Sequence, residues 1–329
     1  MLVTWPHAGS DWSAYLPEVQ ALYARLAAAI ARHTRLLVCA DDPAEVAAAL
    51  AAAGVPAGRA EVVHVPTVDT WTRDYGPITV LDDGKPRLMD FGFNGWGLKF
   101  SADLDNQASR RLHAAGAFGT TPLETVGLIL EGGSIESDGQ GTILTTSACL
   151  MSPNRNPHLD RAGVEAALAN HLGAKRVLWL EHGHLEGDDT DAHVDTIARL
   201  CPGDTIAYVR CDDRTDPHFA GFAALEEELC ALRTAAGQPY RLVPLPWAAE
   251  RRSPDDGHRL PATYANFLIL NGAVLAPTYG DAERDRAAVA AVQLACPGHA
   301  VEPVDCSALI RWHGSLHCAT MQIPAQVWA

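Results

Sequence analysis

The chain is short of positive charge, of closely spaced cysteine pairs and of long apolar runs, and each shortage excludes something. Twenty-five Lys and Arg stand against 40 Asp and Glu, a formal charge of −15. Such a balance disfavours phosphate backbones and anionic membranes, so nucleic acid and lipid are poor partners and a small cation is a better one. The eight cysteines, at positions 39, 149, 201, 211, 230, 296, 306 and 318, contain no CxxC pair. Zinc-knuckle and thioredoxin-type motifs are therefore not written here, and reduced thiols are expected. The apolar stretches LYARLAAAIA and AAVAAVQLA are too short or too interrupted by charge to cross a bilayer. MLVTWPHAGSDW lacks the basic start and apolar core of a signal peptide, which makes the cytoplasm the expected compartment.

What is present is enough for a large core: 329 residues, 48% hydrophobic and 20% charged. Short β-branched runs alternate with Ala/Leu-rich helical stretches, the pattern of an α/β protein. The order of elements repeats. PITVLDDGKPRLMDF reads as a hairpin turning at DDG, followed by a helix at DLDNQASRRLHAAG and a strand at ETVGLIL. GSIESDGQGTILTT, LDRAGVEAALANHLG and KRVLWL form a second copy. VDTIARLCPGDTIAYV, FAALEEELCALRTAAG and YRLVPL form a third. YANFLILNGAVLAPTY, AERDRAAVAAVQLAC and AVEPVD form a fourth. The fifth is split: GSLHCATMQIP supplies hairpin material at the end, and LVTWP, PEVQALYARLAAAIARH and RLLVC supply the rest at the start.

Five units averaging about 66 residues predict a closed ring, because the terminal copies complete one another. An ordinary doubly wound sheet is the alternative, but a hairpin in every unit demands antiparallel pairs that such a sheet does not supply. No linker divides the chain, so residues 1–329 read as a single catalytic domain of five repeated units. The longest non-periodic stretch, PLPWAAERRSPDDGHRLPATY at 244–264, reads as a functional loop.

Chemistry-bearing residues gather at the mouths of the hairpins. Asp74 lies in TWTRDYGP, Glu131 in LEGGS, His193 and Asp195 in GDDTDAHVD, and Cys318 in LHCAT. Equivalent places in a ring would face one another. Taken singly, each has a plainer explanation: Asp74 as a helix cap or partner of Arg73, Glu131 as a loop residue, His193 as a satisfied polar-loop histidine, and Cys318 as a small core hydrophobe. On a strand, His193 and Asp195 would share a face, and His317 would point away from Cys318. A metal hydrolase is the rival from a different class, since EHGHLEGDDTDAHVD offers His182, His184 and His193 with several acids. No HExxH or other zinc spacing accompanies them, so His182, His184, His313 and His317 are expected to line or flank a site rather than ligate.

Together TWTRDYGP, FGFNGWGLKF, LEGGSIESDGQGTILTT, NRNP, GDDTDAHVD, YANFLILNGAVLAPTYG and GSLHCATMQIP resemble the agmatine deiminase and bacterial peptidylarginine deiminase family, in order and across nearly the whole chain. The resemblance implies a pentein-like, five-bladed pseudo-symmetric α/β propeller of hairpin-helix-strand units. It also implies hydrolytic deimination of a small cationic guanidine, most simply agmatine to N-carbamoylputrescine plus ammonia, with peptidylarginine or another free guanidine as the alternative. By the same resemblance Cys318 is the nucleophile that forms an S-alkylthiouronium, His193 the general acid/base, Asp74 and Asp195 the guanidinium grip, and Glu131 the carboxylate that orients or charges the histidine. Neither metal nor organic cofactor is implied, and a homodimer is compatible with it. Trp71 and Trp96 are candidate aromatic walls for an alkylguanidinium or simple core residues, and Asp188 and Asp189 are candidates for a distal amine or turn residues. Two departures from the family pattern bear on specificity: FNGWGLKF is short, and His313 stands where glycine is common.

Overall fold

The turn at Asp83 and Gly84 shows how each repeat is made. Both residues have positive φ, 47° and 77°, and they close Ile78–Asp82 onto Lys85–Gly92 with Asp82 opposite Lys85. An Asp-Gly loop in this conformation matches the twist of the two strands it joins. The second strand then runs parallel to Leu123–Ile129, a connection that needs a crossover, and the helix Ala108–Ala114 supplies it.

The computed structural model, which describes residues 1–328, contains this arrangement several times over. Ile135–Ser137 and Thr142–Thr146 pair antiparallel, and Arg176–Leu180 joins in parallel after the helix Arg161–Leu172. Ala198–Cys201, Thr205–Val209 and Arg241–Leu245 do the same across the helix Phe219–Ala231. Leu268–Ile269, Ala273–Thr278 and Ala300–Asp305 do so across Ala282–Ala295. The split copy is made whole as well: Thr320–Met321 pairs antiparallel with Leu2–Thr4, which lies parallel to Leu36–Ala40 across the helix Leu16–Ala31. The fold is thus mixed α/β, with helices and several small sheets.

The chain forms two compact units, one of residues 1–132 with the segment from His317 onward, the other of residues 133–316. In the first, the helix Leu16–Ala31 buries Val19, Leu22, Tyr23, Leu26 and Ile30, the three-and-four spacing of a core-facing stripe. Its last residues are pinned by two hydrogen bonds: Thr121 Oγ1 donates to the Val327 carbonyl at 2.8 Å, and Trp328 Nε1 donates to the Ala117 carbonyl at 2.8 Å. The helix Pro43–Ala52 and the strand Ala60–His64 add a fourth strand that the repeat pattern does not contain.

Elsewhere the structure departs from the periodicity for local reasons. The third repeat's helix stops at Ala231 rather than continuing to Gly237, because Leu232 turns extended and the Thr234 N–H bonds to the Gln238 carbonyl at 2.7 Å. Within 244–264 the short strands Arg251–Arg252 and Arg259–Leu260 pair antiparallel. Arg259 anchors them through Asp216 at 2.8 Å. Burial works against that carboxylate, but donation from Arg259, His218 and Trp247 outweighs it and holds the pKa below the usual range.

Asp105 ties the loop before residue 70 in the first unit: its carboxylate accepts the N–H of Val68 at 2.7 Å and of Asp69 at 3.2 Å. Burial nevertheless pushes its pKa up from 3.8 to about 7, against the pull of those two donors. The folded state therefore holds a proton that the unfolded chain releases, so this stabilising contribution is complete below 3.8 and is lost as pH rises through about 7. Asp105→Asn is expected to flatten the decline in unfolding free energy between about pH 4 and about pH 7, measured by urea denaturation; a slope identical to the native one would contradict this.

Candidate active site

In the first unit the expected site residues meet around Arg73. The segment Thr72–Tyr75 is a single helical turn, fastened by the Tyr75 hydroxyl, which bonds Thr4 Oγ1 and the Asp69 carbonyl at 2.8 Å each. Arg73 is 3% exposed. Its backbone N–H donates to the Cys318 carbonyl at 3.1 Å, its Nε to the His317 carbonyl at 3.4 Å, and its Nη1 to Met321 Sδ at 3.4 Å. Its own carbonyl lies where a side chain on Gly132 would begin: a Cβ there would sit 2.2 Å from the Arg73 oxygen. Only glycine allows the Glu131 loop to come this close. Asp74, the Glu131 loop and Cys318, far apart in sequence, are thereby drawn to one residue. Glu131 is fully buried and Cys318 nearly so.

Cys318 lies in a turn that precedes the strand Thr320–Met321, not on the strand itself. The alternating-face argument for His317 therefore does not apply. The His317 carbonyl instead accepts from Thr320 N–H at 3.0 Å and from Thr320 Oγ1 at 3.1 Å, which closes the turn around Cys318.

The two tryptophans have different settings. Trp71 packs against Trp12, ring centroids 5.7 Å apart, and Trp12 Nε1 donates to Thr70 Oγ1 at 2.9 Å. Trp96 sits in a left-handed turn in which Gly95, Trp96, Gly97 and Leu98 all have positive φ. A left-handed non-glycine residue costs roughly 1–2 kcal/mol, so such a turn needs side-chain support. Asn94 Oδ1 accepts the Gly97 N–H at 3.0 Å, and the Trp96 ring meets Phe93 and Phe100 edge-on at 4.9 and 5.6 Å. The indole N–H is spent on Asp74, donating to Oδ2 at 2.9 Å. Trp96 is thus a donor to a site carboxylate as well as an aromatic surface.

In the second unit, His193 and Asp195 are both fully buried. They are not on a strand, as the same-face expectation assumed. His193 precedes the 3-10 turn Val194–Thr196, and Asp191 and Ala192 before it are left-handed at 66° and 64°. This conformation is held from several directions. Asp188 accepts Thr190 N–H, Thr190 Oγ1 and Ala192 N–H at 3.1, 2.5 and 2.7 Å, and Thr190 Oγ1 in turn accepts the His193 N–H at 3.1 Å. Arg155 bonds Asp191 at 2.6 Å and the Thr190 carbonyl at 2.9 Å, and Thr146 Oγ1 donates to the Ala192 carbonyl at 2.7 Å. Past the turn, Asn266 Nδ2 donates to the Asp195 carbonyl at 3.3 Å, and Thr263 Oγ1 donates to that of Thr196 at 2.6 Å. Burial disfavours the Arg199 cation, but Glu136 and then Asp195 overcome it and raise its pKa above the usual value. Asp188 thus serves as the turn residue that shapes the loop.

The metal set suggested by residues 181–195 does not gather: His182 and His184 are exposed, with His182 Nδ1 on Glu228 at 2.7 Å, whereas His193 is buried.

The profile of the Porphyromonas-type peptidyl-arginine deiminases matches residues 1–324. The chain belongs to this family. Agmatine deiminase of Stutzerimonas stutzeri is 35% identical over 98% of this chain and 92% of its own length. A solved Porphyromonas gingivalis protein, provisionally named arginine deiminase, is 48% identical with a TM-score of 0.91, covering 99% of this chain and 95% of its own. A cysteine-to-serine C. jejuni agmatine deiminase, solved with substrate bound, is 34% identical with a TM-score of 0.88, covering 97% of this chain and 91% of its own.

Three residues of this deiminase-family chain have supporting roles that sequence did not assign: Arg155 and Asn266 were not singled out, and Arg73 was named only as a plain partner for Asp74. Each stood inside a segment that carried the resemblance, TWTRDYGP, NRNP or YANF, as a polar residue with no part in the expected chemistry. A buried carboxylate that loses an N–H donor loses about 1.5–3 kcal/mol, so Trp96→Phe, which keeps an aromatic ring but removes the donor and some packing, is expected to lower the unfolding free energy by at least about that amount. Equilibrium urea unfolding measures it, and an unchanged midpoint would show that the bond to Asp74 contributes nothing.

Proposed function

We propose that this chain hydrolytically deiminates a small guanidinium, agmatine foremost, to a ureido product and ammonia. The observation that carries the reading is the gathering of Cys318, Asp74 and the Glu131 loop at Arg73, in a chain of a deiminase family. The names of the relatives, agmatine deiminase among them, support the choice of substrate.

A guanidinium is planar, resonance-stabilised and charged at neutral pH, hence a poor electrophile. We assign Asp74 and Asp195 to its N–H fork, where two carboxylates fix the plane and draw positive charge toward the central carbon. The Cys318 thiolate adds to that carbon, forming a C–S bond and a tetrahedral adduct. His193, in its protonated form and charged by Glu131, donates to the departing nitrogen, so the C–N bond breaks and ammonia leaves. The neutral imidazole then takes a proton from water, which attacks the S-alkylthiouronium; the C–S bond breaks, and thiol and ureido product separate. Trp71 is assigned to the alkyl chain, and Trp96 acts through Asp74. No metal or organic cofactor enters these steps.

We further read the five repeats as blades of one pseudo-fivefold propeller and residues 1–329 as one catalytic domain. The common strand order of the four three-stranded sheets and the completion of the split copy by both ends of the chain support this. Eight cysteines present as thiols fit a cytoplasmic setting.

Cys149 is a second buried thiol, in the turn Ser147–Leu150. Ammonia release from agmatine therefore needs two separate variants. Cys318→Ser is expected to abolish turnover while agmatine still binds by calorimetry, and Cys149→Ser to retain turnover; the opposite pattern would move the nucleophile. Asp74→Asn is expected to weaken agmatine binding by at least about tenfold, the loss of one charge-assisted partner. Unchanged affinity would remove Asp74 from the grip.

A further inference from the structure

His313 occupies a backbone position that favours glycine. Its φ is +67° and ψ −17°, at the end of the short turn Leu309–Trp312. A non-glycine residue in this region is strained, and such strain persists only where the surroundings hold it. The ring accounts for the holding. Its Nδ1 lies 2.9 Å from the Gly187 carbonyl, its Nε2 lies 3.9 Å from Asp189 Oδ2, and its face stacks on His258 with centroids 5.8 Å apart and planes 18° from parallel.

The chemistry of these contacts sets the ring's polarity. A carbonyl oxygen only accepts, so the bond to Gly187 requires a proton on Nδ1. The remaining nitrogen then faces the Asp189 carboxylate across 3.9 Å. Gly187 cannot withdraw from this contact. It is itself left-handed at 89°, and a Cβ there would lie 2.3 Å from the Arg259 carbonyl, so the loop is backed by the anchored hairpin Arg251–Leu260.

Asp189 belongs to the loop that presents His193, four residues earlier. Two neighbouring acids are committed to shaping the loop: Asp188 to Thr190 and Ala192, Asp191 to Arg155. Along the loop burial falls from His193, fully enclosed, to Asp189 and His313, whose side chains are 24% and 26% exposed. On the deimination reading, a linear guanidine with its reacting end at His193 and Asp195 would direct its tail toward the partly exposed part of this loop, where Asp189 stands.

We propose that His313 is a specificity residue: its imidazole engages the Asp189 carboxylate and thereby weakens the preference for guanidines that carry a second, distal ammonium. The inference rests on the deimination reading and names the substrate class that reading leaves open. With Asp189 engaged by an internal partner, the site accepts alkylguanidines with neutral ends alongside agmatine, instead of selecting strongly for a diamine-like substrate.

The test compares kcat/KM for agmatine and for N-butylguanidine, which has the same chain length and an apolar end. In His313→Gly the backbone strain is relieved, and the ratio of agmatine to N-butylguanidine is expected to rise about fivefold, the size of one partly exposed ion pair. Asp189→Asn is expected to lower the ratio, and in that background His313→Gly is expected to leave it unchanged. His313→Asn, which tolerates the left-handed conformation, is expected to move the ratio in the same direction as His313→Gly and serves if the glycine variant does not fold. A native-like ratio in a folded, active His313 variant overturns the proposal, as does an equal shift with and without Asp189. Absence of turnover of every guanidine by the native protein overturns the deimination reading and this proposal with it, whereas turnover with an unmoved ratio overturns this proposal alone.

Discussion

The first unit depends on what a single buried arginine can reach. Arg73 fastens the turn that carries Cys318 through its backbone N–H, and its guanidinium donates to the His317 carbonyl and the Met321 sulfur that flank that turn. Taking a guanidinium out of water is costly unless its donors are used, so the surroundings must supply acceptors. Here the His317 carbonyl and the Met321 thioether are among them, and each comes from the segment that closes the split repeat. The strand pairing of Thr320–Met321 with Leu2–Thr4 and the pinning of Val327 and Trp328 keep that segment from fraying. The turn that carries Cys318 is in consequence fastened on both sides.

The second unit solves a related problem by different means. His193 and Asp195 are buried on a loop whose conformation is intrinsically unfavourable, with two consecutive left-handed residues and a 3-10 turn. Asp188, Arg155, Thr146, Asn266 and Thr263 each satisfy a backbone group or carboxylate of that loop. Strain of this kind is a recurrent feature of sites that must present polar groups in fixed directions. The same economy applies to Trp96, whose left-handed turn directs an indole N–H at Asp74. Carboxylates that grip a cation must keep their orientation when no substrate is present, and donors of this sort maintain it.

The acidity of the chain suits a cationic substrate, but charge by itself does not choose among guanidines. That choice lies at the outer end of the His193 loop, where Asp189 and His313 face each other.

The repeat order, the hairpins and nearly all the crossover helices were legible in the sequence, because apolar periodicity and turn residues such as Asp83-Gly84 are local signals. The candidate chemistry-bearing positions stood in segments whose residue types match one family, and of these Asp74, the Glu131 loop and Cys318 come together at Arg73. The added strand Ala60–His64 and the early end of the helix at Ala231 were not legible, since neither breaks the local pattern. Tertiary structure alone decided that His193 and Asp195 share a loop rather than a strand face, that Asp188 shapes that loop, that Trp96 donates to Asp74, and that Arg73 gathers segments 240 residues or more apart. The physical reason is the range of the interactions. Periodicity reports which face of an element is buried, whereas hydrogen bonds between distant loops depend on where the folded chain carries each donor and acceptor.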